Sequence, residues 1–404
     1  MNNSKLYSLL TLLVIVISGD PAISVLGKYA VYIGTLIIFL SLWLVNPIRL
    51  RKQDGFVVVL FFLLTFTHVF SFGSMVIPAT IGFLIKIIIA MLAVRLIPGF
   101  SRRYVAVMYY FSLLSFVFWV PSYFGVNMQS IFSSIRVPLP NDDYFSIGIY
   151  NFGLPYYGPV RNYGIFWEPG AFAGYLVLAL FFLLRDCKNK HKLLKQGLVL
   201  IASLLSTQST TGYIVFMVMI LYFTYVYVRT KRSVLRLILF PALVVAVVGG
   251  AYFAMTEFSF LGEKINIQLK SASAGDDASR INRFGNFLYD LDSIASRPIF
   301  GWSATPETRD LSEPGVADLI ALQGNGLTSF AVRFGLVGLV IFFGFFAYNM
   351  RRETGSVSIV ILGTVIVCLV LNGEQFLNYP MFLTLMFMPD NKFKPLPSIH
   401  LAKA

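Results

Sequence analysis

A series of long apolar runs, separated mostly by short turns that contain Lys or Arg, constrains this chain more than any other feature. A helix needs roughly 20 residues to cross a hydrocarbon core of about 30 Å, and runs of about that length recur along the sequence. Hydrophobic residues make up 57% of the 404 residues and charged residues 13%, roughly half the charged share of a soluble domain. We therefore expect an all-α polytopic membrane protein, with residues 1–404 forming a single integral membrane domain. About twelve transmembrane helices are predicted, at 6–26, 29–46, 56–73, 76–97, 104–123, 169–184, 197–210, 212–228, 237–255, 326–349, 357–372 and 376–389.

The distribution of Lys and Arg predicts how these helices are oriented. If the N-terminus is cytoplasmic, most Lys and Arg residues fall at cytoplasmic ends of the spans, as the positive-inside rule requires. Both termini are then cytoplasmic. These turns account for most of the formal net charge of +13, so nucleic acid is not an expected partner. Cys187 and Cys368 fall at opposite membrane faces, and no disulfide between them is expected.

Two segments, residues 124–168 and 256–325, are long enough to form sizeable loops outside the bilayer. Both lie on the outer face in this topology, and each carries aromatic residues with Asn, Asp and Arg between them. Such residues can pack the loops or form an interfacial belt, and they also suit sugar faces and hydroxyl groups. The chemistry of the protein is therefore expected at the outer face.

Charged and aromatic residues stand directly before a long apolar run at residues 161–170, with the sequence RNYGIFWEPG. Polar side chains are expected at the membrane surface here, which makes this junction the first candidate for an active site. Pro169 favours the first position of a helix, and the positive end of that helix would face outward. An anion there would be stabilised. Glu168 could alternatively serve only as the helix cap.

Three segments carry a resemblance to a known family. The pattern R-x-x-G-I-F-x-E-P-G at residues 161–170 is similar to the signature of the Wzy-type O-antigen polymerases, which join oligosaccharide repeat units. Ser279-Arg280 and the sequence RPIFGW at 297–302 resemble the outer loop shared by these polymerases and the O-antigen ligases. The sequence GNG at 324–326, followed by FGLVGL at 334–339, is similar to the start of the next span.

The resemblance implies a lipid-dependent glycosyltransferase with GT-C-like architecture in the bacterial inner membrane, acting at the periplasmic side. Such an enzyme would transfer a growing glycan from undecaprenyl pyrophosphate to the next undecaprenyl-pyrophosphate-linked repeat unit, without a cofactor. The implied partners are the lipid-linked donor and acceptor, membrane lipid, a flippase and a chain-length regulator. The ligases carry a His-Asn pair where this chain has Gly324-Asn325, which favours a polymerase and leaves the general base unassigned.

The departing pyrophosphate is an anion, and the arginine guanidinium can bond phosphate oxygens bidentately while staying charged. Glu168 could accept the hydroxyl proton as general base, but the helix end stabilises its charged form and weakens it as a base. A role for Glu168 in binding sugar hydroxyls or orienting Arg161 is therefore also open. The predicted catalytic residues are Glu168, Arg161 and Arg280, and the predicted substrate-binding residues are Arg283, Arg297, Asn325, Arg333 and Trp167.

No metal site is predicted, because the three histidines and the cysteines do not cluster with carboxylates in the sequence. A metal-independent reaction is therefore expected, and a direct displacement would invert the anomeric configuration. Asp290 and Asp292 have the spacing of the metal-binding pair in nucleotide-sugar transferases, which is a weak signal on its own. Arg280 and Arg283 could instead form surface ion pairs. The acidic residues available to them are Asp276, Asp277 and Asp290.

Two other functions compete with a polymerase. One is an O-antigen ligase that transfers glycan to the lipid A core. The other is a lipid-linked oligosaccharide flippase or secondary transporter, with the intramembrane residues Lys86 and Arg333 as substrate contacts. A transporter needs polar residues along a path open to both sides, whereas a polymerase needs them concentrated at the outer face, as in this sequence.

Overall fold

The computed structural model describes residues 3–48, 50–139, 144–153, 160–187, 189–230, 283–310 and 325–388. These residues form a helical bundle with short 3-10 turns and one small β-hairpin at its ends. The helices are α1 Asn3–Gly19, α2 Lys28–Val45, α3 Lys52–Phe72, α4 Ile77–Leu96, α5 Phe100–Tyr123, α6 Met128–Ile131, α7 Pro169–Asp186, α8 Lys190–Ser206, α9 Thr210–Thr230, α10 Arg283–Ser296, α11 Glu307–Asp310, α12 Gly326–Thr354, α13 Val357–Gly373 and α14 Pro380–Leu383, and the strands are β1 Tyr144–Ser146 and β2 Asn151–Gly153.

Helix boundaries follow from caps that the sequence supplies. The side chains of Asn189 and Ser356 accept hydrogen bonds from backbone N–H groups in the first turns of α8 and α13, donors that a helix otherwise leaves unsatisfied. Gly355 ends α12 with φ of +65°, a conformation that glycine adopts without a steric penalty. Pro169 opens α7 at a position where a missing N–H costs nothing.

Helices α3 and α4 form an antiparallel pair within one apolar stretch, Lys52–Leu96. The chain turns at Gly73, whose φ is +72°. Arg95 near the end of α4 donates from Nε and Nη2 to the two carboxylate oxygens of Asp54 at the start of α3, at 2.7 Å each. The first and last residues of the stretch therefore lie side by side, and Lys52–Leu96 crosses the bundle twice, once in each direction.

The outward faces of the helices are apolar. Along α3, Phe62, Phe66 and Phe70 recur at intervals of four residues and are 52%, 56% and 87% exposed. Soluble monomers rarely expose large contiguous apolar patches, and lipid would cover such a stripe. Four stretches of the described chain are long and apolar enough to cross a bilayer: Lys52–Leu96, Phe100–Tyr123, Pro169–Asp186 and Gly326–Thr354.

Helix α7 is the most buried of the four long apolar stretches and passes through the middle of the bundle. Every residue from Pro169 to Leu183 except Gly170 is buried, and α7 packs against α5, α8, α9 and α13. Its small residues permit close approach: the ring of Phe376 lies against Gly174. Glu168 therefore lies at the N-terminus of the long helix that the rest of the protein surrounds most completely.

One end of the bundle gathers charged groups around Arg185, and we call it the Arg185 end. Arg185 Nη1 donates to Glu353 Oε2 at 3.1 Å, which links the ends of α7 and α12. Further bonds join neighbouring termini here, and they comprise Ser101 to Asp186, Arg103 to the Ser4 carbonyl, and Gln53 to the Tyr348 hydroxyl.

The opposite end contains the start of α7, and we call it the Glu168 end. Gly19 at the end of α1 lies against the ring of Phe166, and the guanidinium of Arg297 lies over the ring of Phe72 at the end of α3. These contacts place the end of α1, the end of α3 and the start of α7 together at the Glu168 end.

The β-hairpin packs against the outer turn of α5. Strands β1 and β2 are antiparallel, with Phe145 opposite Phe152, and both rings are buried with Tyr150 against Phe118. These aromatic residues of the 124–168 loop therefore serve packing. The hairpin is also the small exception to the expected all-α fold.

The predicted spans agree with the structure in most places and differ in two. Residues 376–389 were expected to form a transmembrane helix, but they form the short turns Phe376–Asn378, Pro380–Leu383 and Thr384–Met386, buried among the other helices. Tyr379 precedes Pro380, and proline disfavours helical backbone in the residue before it. The span expected at 197–210 is shifted to Lys190–Ser206, and 237–255 lies outside the described residues.

Candidate active site

The segment after α10, residues 297–303, is built into a break in α12. We call it the outer segment, because the sequence predicts that it faces outward. Gly335 interrupts this helix with φ of +64° and ψ of −176°, a region that is essentially restricted to glycine. The carbonyls of Val332 and Arg333 lose their usual helical donors there. Trp302 N and Ser303 N donate to them instead, at 2.8 and 3.0 Å.

The same segment also satisfies the donors on the other side of the break. Leu336 N donates to the Pro298 carbonyl at 2.8 Å, and Val337 N donates to the Ile299 carbonyl at 3.2 Å. A membrane helix can be broken only where its freed backbone groups find partners. The sequences RPIFGW at 297–302 and FGLVGL at 334–339 thus form a single structural unit. We call this unit, residues 297–303 with 332–337, the helix-break clamp.

Two carboxylates flank Gly170 at the start of α7. A Cβ built on Gly170 would lie 2.6 Å from Glu168 Oε1 and 3.5 Å from Glu374 Oε1, so both oxygens lie close to the same point. Glu168 occupies the N-cap position, but its side chain makes no capping hydrogen bond to the helix. The alternative that Glu168 only caps α7 through its carboxylate is therefore not what the structure describes.

Aromatic rings stand beside the carboxylates. The ring of Trp167 stacks on Tyr379, with centroids 4.9 Å apart and planes at 28°, and Trp167 Nε1 donates to Glu374 Oε2 at 3.5 Å. Trp167 and Glu168 are half-buried, whereas Glu374 is 8% exposed. A half-open aromatic face next to two carboxylates suits a sugar ring and its hydroxyl groups.

Arg333 braces the segment that carries Glu374. Its Nη1 donates to Asn378 Oδ1 at 2.6 Å and its Nη2 donates to Gln375 Oε1 at 2.9 Å. Gln375 Oε1 also accepts from Asn378 Nδ2 at 2.8 Å. This network holds a non-helical stretch at the Glu168 end, and it gives the intramembrane arginine partners within the protein.

Asp290 forms a second buried polar group nearby. Thr328 Oγ1 donates to Asp290 Oδ2 at 2.5 Å, and Arg309 Nη1 lies 3.9 Å from Asp290 Oδ1. Burial raises the pKa of Asp290 to about 6, against the opposing effects of the Thr328 hydroxyl and of Arg309 and Arg333. Asp292 is exposed while Asp290 is fully buried, so the two carboxylates point apart and do not form a metal-binding pair.

Arg161 lies at the turn between α8 and α9. Its Nε donates to the Thr207 carbonyl at 3.0 Å and its Nη2 to the Gln208 carbonyl at 3.2 Å. A cation is favourable at a helix C-terminus, so these bonds stabilise the turn. They also fix the plane of the guanidinium at the Glu168 end.

A narrow crevice connects this turn to the carboxylates. It is lined by Gly170, Ser209, Thr211, Gly212 and Glu374 among others, and its volume is about 10 Å³. Such a space holds about one water molecule. A glycan must therefore bind above the crevice or where the helices move apart.

Two predicted substrate-binding residues have internal roles in the structure. Asn325 caps α12 by accepting from Thr328 N, and its Nδ2 donates to Asn372 Oδ1 at 2.8 Å. The Arg297 guanidinium lies 4.6 Å from the ring centroids of both Phe72 and Trp302, which ties the helix-break clamp to α3. Contact of either residue with substrate stays a prediction.

The remaining predicted residues are less completely described. Arg280, together with Gly324 of the Gly-Asn pair, lies outside the described residues. Arg283 begins α10, but its side chain is outside the described part of the chain. The acidic partners Asp276 and Asp277 are outside it as well.

Sequence reasoning did not assign a role to Glu374, Tyr379 or Arg309. Glu374 follows directly after the apolar run of α13, as Glu168 directly precedes that of α7. Both glutamates therefore stand at an end of an apolar run that is predicted to face outward. This shared position is the sequence pattern that could have identified Glu374 as a site residue. The pairing of Asp290 with Arg309 and Thr328 depends on how α10, α11 and α12 pack, and no local pattern marks it.

Comparison with known families adds one match. The family model described as O-antigen ligase matches residues 197–343, which include the second half of α8, α9, the outer segment with α10 and α11, and the helix-break clamp. The resemblance to the O-antigen polymerase and ligase group is thereby confirmed over this part of the chain. No curated protein matches the chain.

Proposed function

We propose that this protein is a membrane glycosyltransferase that polymerises lipid-linked oligosaccharide repeat units at the Glu168 end. The observation that carries the proposal is the pair of carboxylates, Glu168 and Glu374, that both approach Gly170 next to the stacked rings of Trp167 and Tyr379. The family match supports transfer chemistry of the O-antigen type.

In the proposed reaction an acceptor hydroxyl attacks the anomeric carbon of the donor glycan. The hydroxyl proton passes to the carboxylate of Glu168 as the new C–O bond forms. The bond from the anomeric carbon to the phosphate oxygen breaks, and undecaprenyl pyrophosphate leaves with the electron pair. One direct displacement of this kind inverts the anomeric configuration.

The other residues of the site would position the reactants. Glu374 would accept hydrogen bonds from sugar hydroxyls, and Trp167 would offer its ring face to a sugar ring. Positioning of this kind accelerates a transfer between two bound substrates. Arg333 would act indirectly, because it braces Gln375 and Asn378 on either side of the segment that follows Glu374.

Arginines would stabilise the departing pyrophosphate. Arg161 has a guanidinium plane fixed by two backbone carbonyls, and the positive end of α7 begins at Pro169, where an anion is favoured. Arg280 and Arg283 are proposed to complete the anion site from the outer loop. With about twelve spans, cytoplasmic termini and an inner-membrane location, the Glu168 end would face the periplasm.

A ligase is the second candidate, because the matching family model carries that description. Against it stands Gly324, where the resemblance implies a histidine in ligases. The two functions differ in acceptor: a polymerase uses another lipid-linked repeat unit, and a ligase uses the lipid A core.

The test uses a bacterial host that lacks this gene and makes the surface glycan of its source. The host is complemented with wild type, Glu168→Gln, Glu374→Gln or the control Glu307→Gln, at matched membrane levels. Glu307 is an exposed carboxylate at the start of α11. We expect wild type and Glu307→Gln to give a full glycan ladder, and Glu168→Gln to give single repeat units attached to the lipid core.

The deletion strain separates the candidate functions. Single repeat units on the core show that export and ligation continue while polymerisation fails. Complete absence of surface glycan would instead support a ligase or a flippase. A full ladder from Glu168→Gln would remove Glu168 from the chemistry.

A further inference from the structure

A cavity of about 310 Å³ lies at the Arg185 end, between the end of α7, the start of α8 and the start of α5. Helix α7 has 18 residues, so the cavity lies about 27 Å along the helix from Glu168. It is therefore separate from the proposed transfer site. Its volume is at the lower end of the range for small-molecule pockets.

The electrostatics of this cavity favour an anion. Arg102 and Lys192 line it, and the positive end of α8 begins beside it at Lys190. Asp186 also lines the cavity, but its carboxylate accepts hydrogen bonds from Ser101 and Arg185. Arg185 is shared between Asp186 and Glu353, but the two cationic side chains that line the cavity outnumber this one carboxylate.

The cavity is also lined by a buried side chain whose carbonyl oxygen lacks a hydrogen-bond donor. Gln196 is 8% exposed and lines the cavity, and its Oε1 has no hydrogen-bond partner among the described residues. A buried acceptor without a donor is destabilising, because it has lost its hydration and gained no hydrogen bond in return. A ligand that brings a hydroxyl donor to Gln196 would remove that destabilisation.

Apolar groups form the remaining wall. Val105, Phe182 and Leu183 line the cavity together with the polar groups, and all three are buried. A free inorganic anion makes no favourable contact with apolar side chains. A phospholipid does, because its acyl chains are attached next to its phosphate. Basic pockets between membrane helices are a known way of binding anionic lipid headgroups.

We propose that this cavity binds a phosphate ester that carries hydroxyl groups, with the headgroup of phosphatidylglycerol as its source. The phosphate lies between Arg102, Lys192 and the start of α8. A glycerol hydroxyl donates to Gln196, and the upper acyl chain contacts Phe182 and Leu183. The site holds the turn between α7 and α8 in place, whatever reaction the Glu168 end performs.

The first test measures lipid binding to the purified full-length protein by native mass spectrometry. The probes are phosphatidylglycerol, phosphatidic acid, phosphatidylcholine and inorganic phosphate, and the variants are Lys192→Gln, Gln196→Leu and the control Lys195→Gln. Lys195 is exposed on the same helix and does not line the cavity. We expect Lys192→Gln to weaken phosphatidylglycerol binding about fivefold, which is the contribution of one lysine near an anionic surface.

The variants distinguish binding in the cavity from non-specific attraction of anionic lipid to the protein surface. Gln196→Leu should remove the preference for phosphatidylglycerol over phosphatidic acid, which lacks the glycerol hydroxyls, and Lys195→Gln should bind like wild type. Binding of inorganic phosphate that depends on Lys192 would support the phosphate site and identify soluble phosphate as its source. Equal affinity of wild type and Lys192→Gln for every probe would overturn the proposal.

A second measurement does not depend on the stability of those variants. Cys187 lines the cavity, and Cys368 is the other cysteine of the chain. In a Cys368→Ser background, maleimide should modify Cys187 more slowly in nanodiscs that contain phosphatidylglycerol than in pure phosphatidylcholine. Equal rates in the two membranes would count against occupancy of the cavity by the anionic lipid.

Discussion

Replacing Gly335 by alanine tests whether the helix-break clamp holds the outer segment on α12. The backbone at Gly335 has φ of +64° and ψ of −176°, which costs a residue with a side chain about 1–3 kcal/mol. The added Cβ would also overlap the carbonyl group of Ile299. Residues 297–303 would have to move away from α12, or α12 would close into a continuous helix.

Either response breaks the four hydrogen bonds that cross the clamp. Each contributes about 0.5–1.5 kcal/mol. If the segment moves away and residue 335 keeps its backbone conformation, the broken bonds and the strain together cost about 3–9 kcal/mol, a large share of the 5–15 kcal/mol by which a typical domain is stable. If α12 closes instead, the strain is relieved but the bonds that hold the outer segment are lost. We therefore expect Gly335→Ala to lose native packing of the outer segment, and with it polymer formation.

The matched control is Gly344→Ala in the same helix. Gly344 has open space where a Cβ would be added, and alanine stabilises a helix interior by about 0.5–1 kcal/mol relative to glycine. The assay is thermal unfolding of the purified protein followed by tryptophan fluorescence, since Trp302 is part of the clamp, together with the glycan ladder of complemented cells. If Gly335→Ala unfolds at the same temperature as Gly344→Ala and makes normal polymer, the account of the clamp is wrong.

Three further outcomes are expected. Glu374→Gln should reduce polymer less than Glu168→Gln at equal membrane levels, because only Glu168 is proposed to take the proton; equal activities on the glycan ladder would contradict this. Arg161→Ala should lower both the melting temperature and the polymer yield, because it removes two hydrogen bonds to the turn between α8 and α9, whereas Arg280→Ala should lower only the yield. Because the pKa of Asp290 is raised to about 6 by burial, its contribution to stability is present below about pH 4 and is lost as pH rises through about 6. Melting temperatures measured from pH 4 to 7 should therefore fall less for Asp290→Asn than for wild type, and parallel curves would refute the assignment.

The sequence predicted most of the helices because a membrane helix carries its own signal. Burying a backbone in lipid requires about 20 apolar residues in one run, and α3, α4, α5 and α12 agree with the predicted spans within a few residues at most ends. The exception at 376–389 shows the limit of this reasoning. A run can also be apolar because protein surrounds it, and the residues from Phe376 to Met388 are mostly buried inside the bundle.

The candidate site was predicted in part. The charged and aromatic residues directly before the apolar run of α7 predicted Glu168, Arg161 and Trp167 as site residues. All three lie at the Glu168 end. The aromatic residues Phe145, Tyr150 and Phe152 were open to either packing or sugar binding, and the structure assigns them to packing. Arg333 was predicted to bind substrate, and in the structure its guanidinium donates to Asn378 and Gln375 at the Glu168 end.

The amino-acid sequence alone indicates where the chain can cross a membrane, which ends carry polar chemistry, and which segments resemble a glycan-transferring family. These properties are local, since each depends on composition within about 20 residues. The packing of the helices was needed to show that Glu374 joins Glu168 at Gly170, that Arg309 and Thr328 meet Asp290, and that residues 297–303 enter the break in α12. Such contacts join residues far apart in the chain, and their energies depend on geometry that forms only when the helices pack.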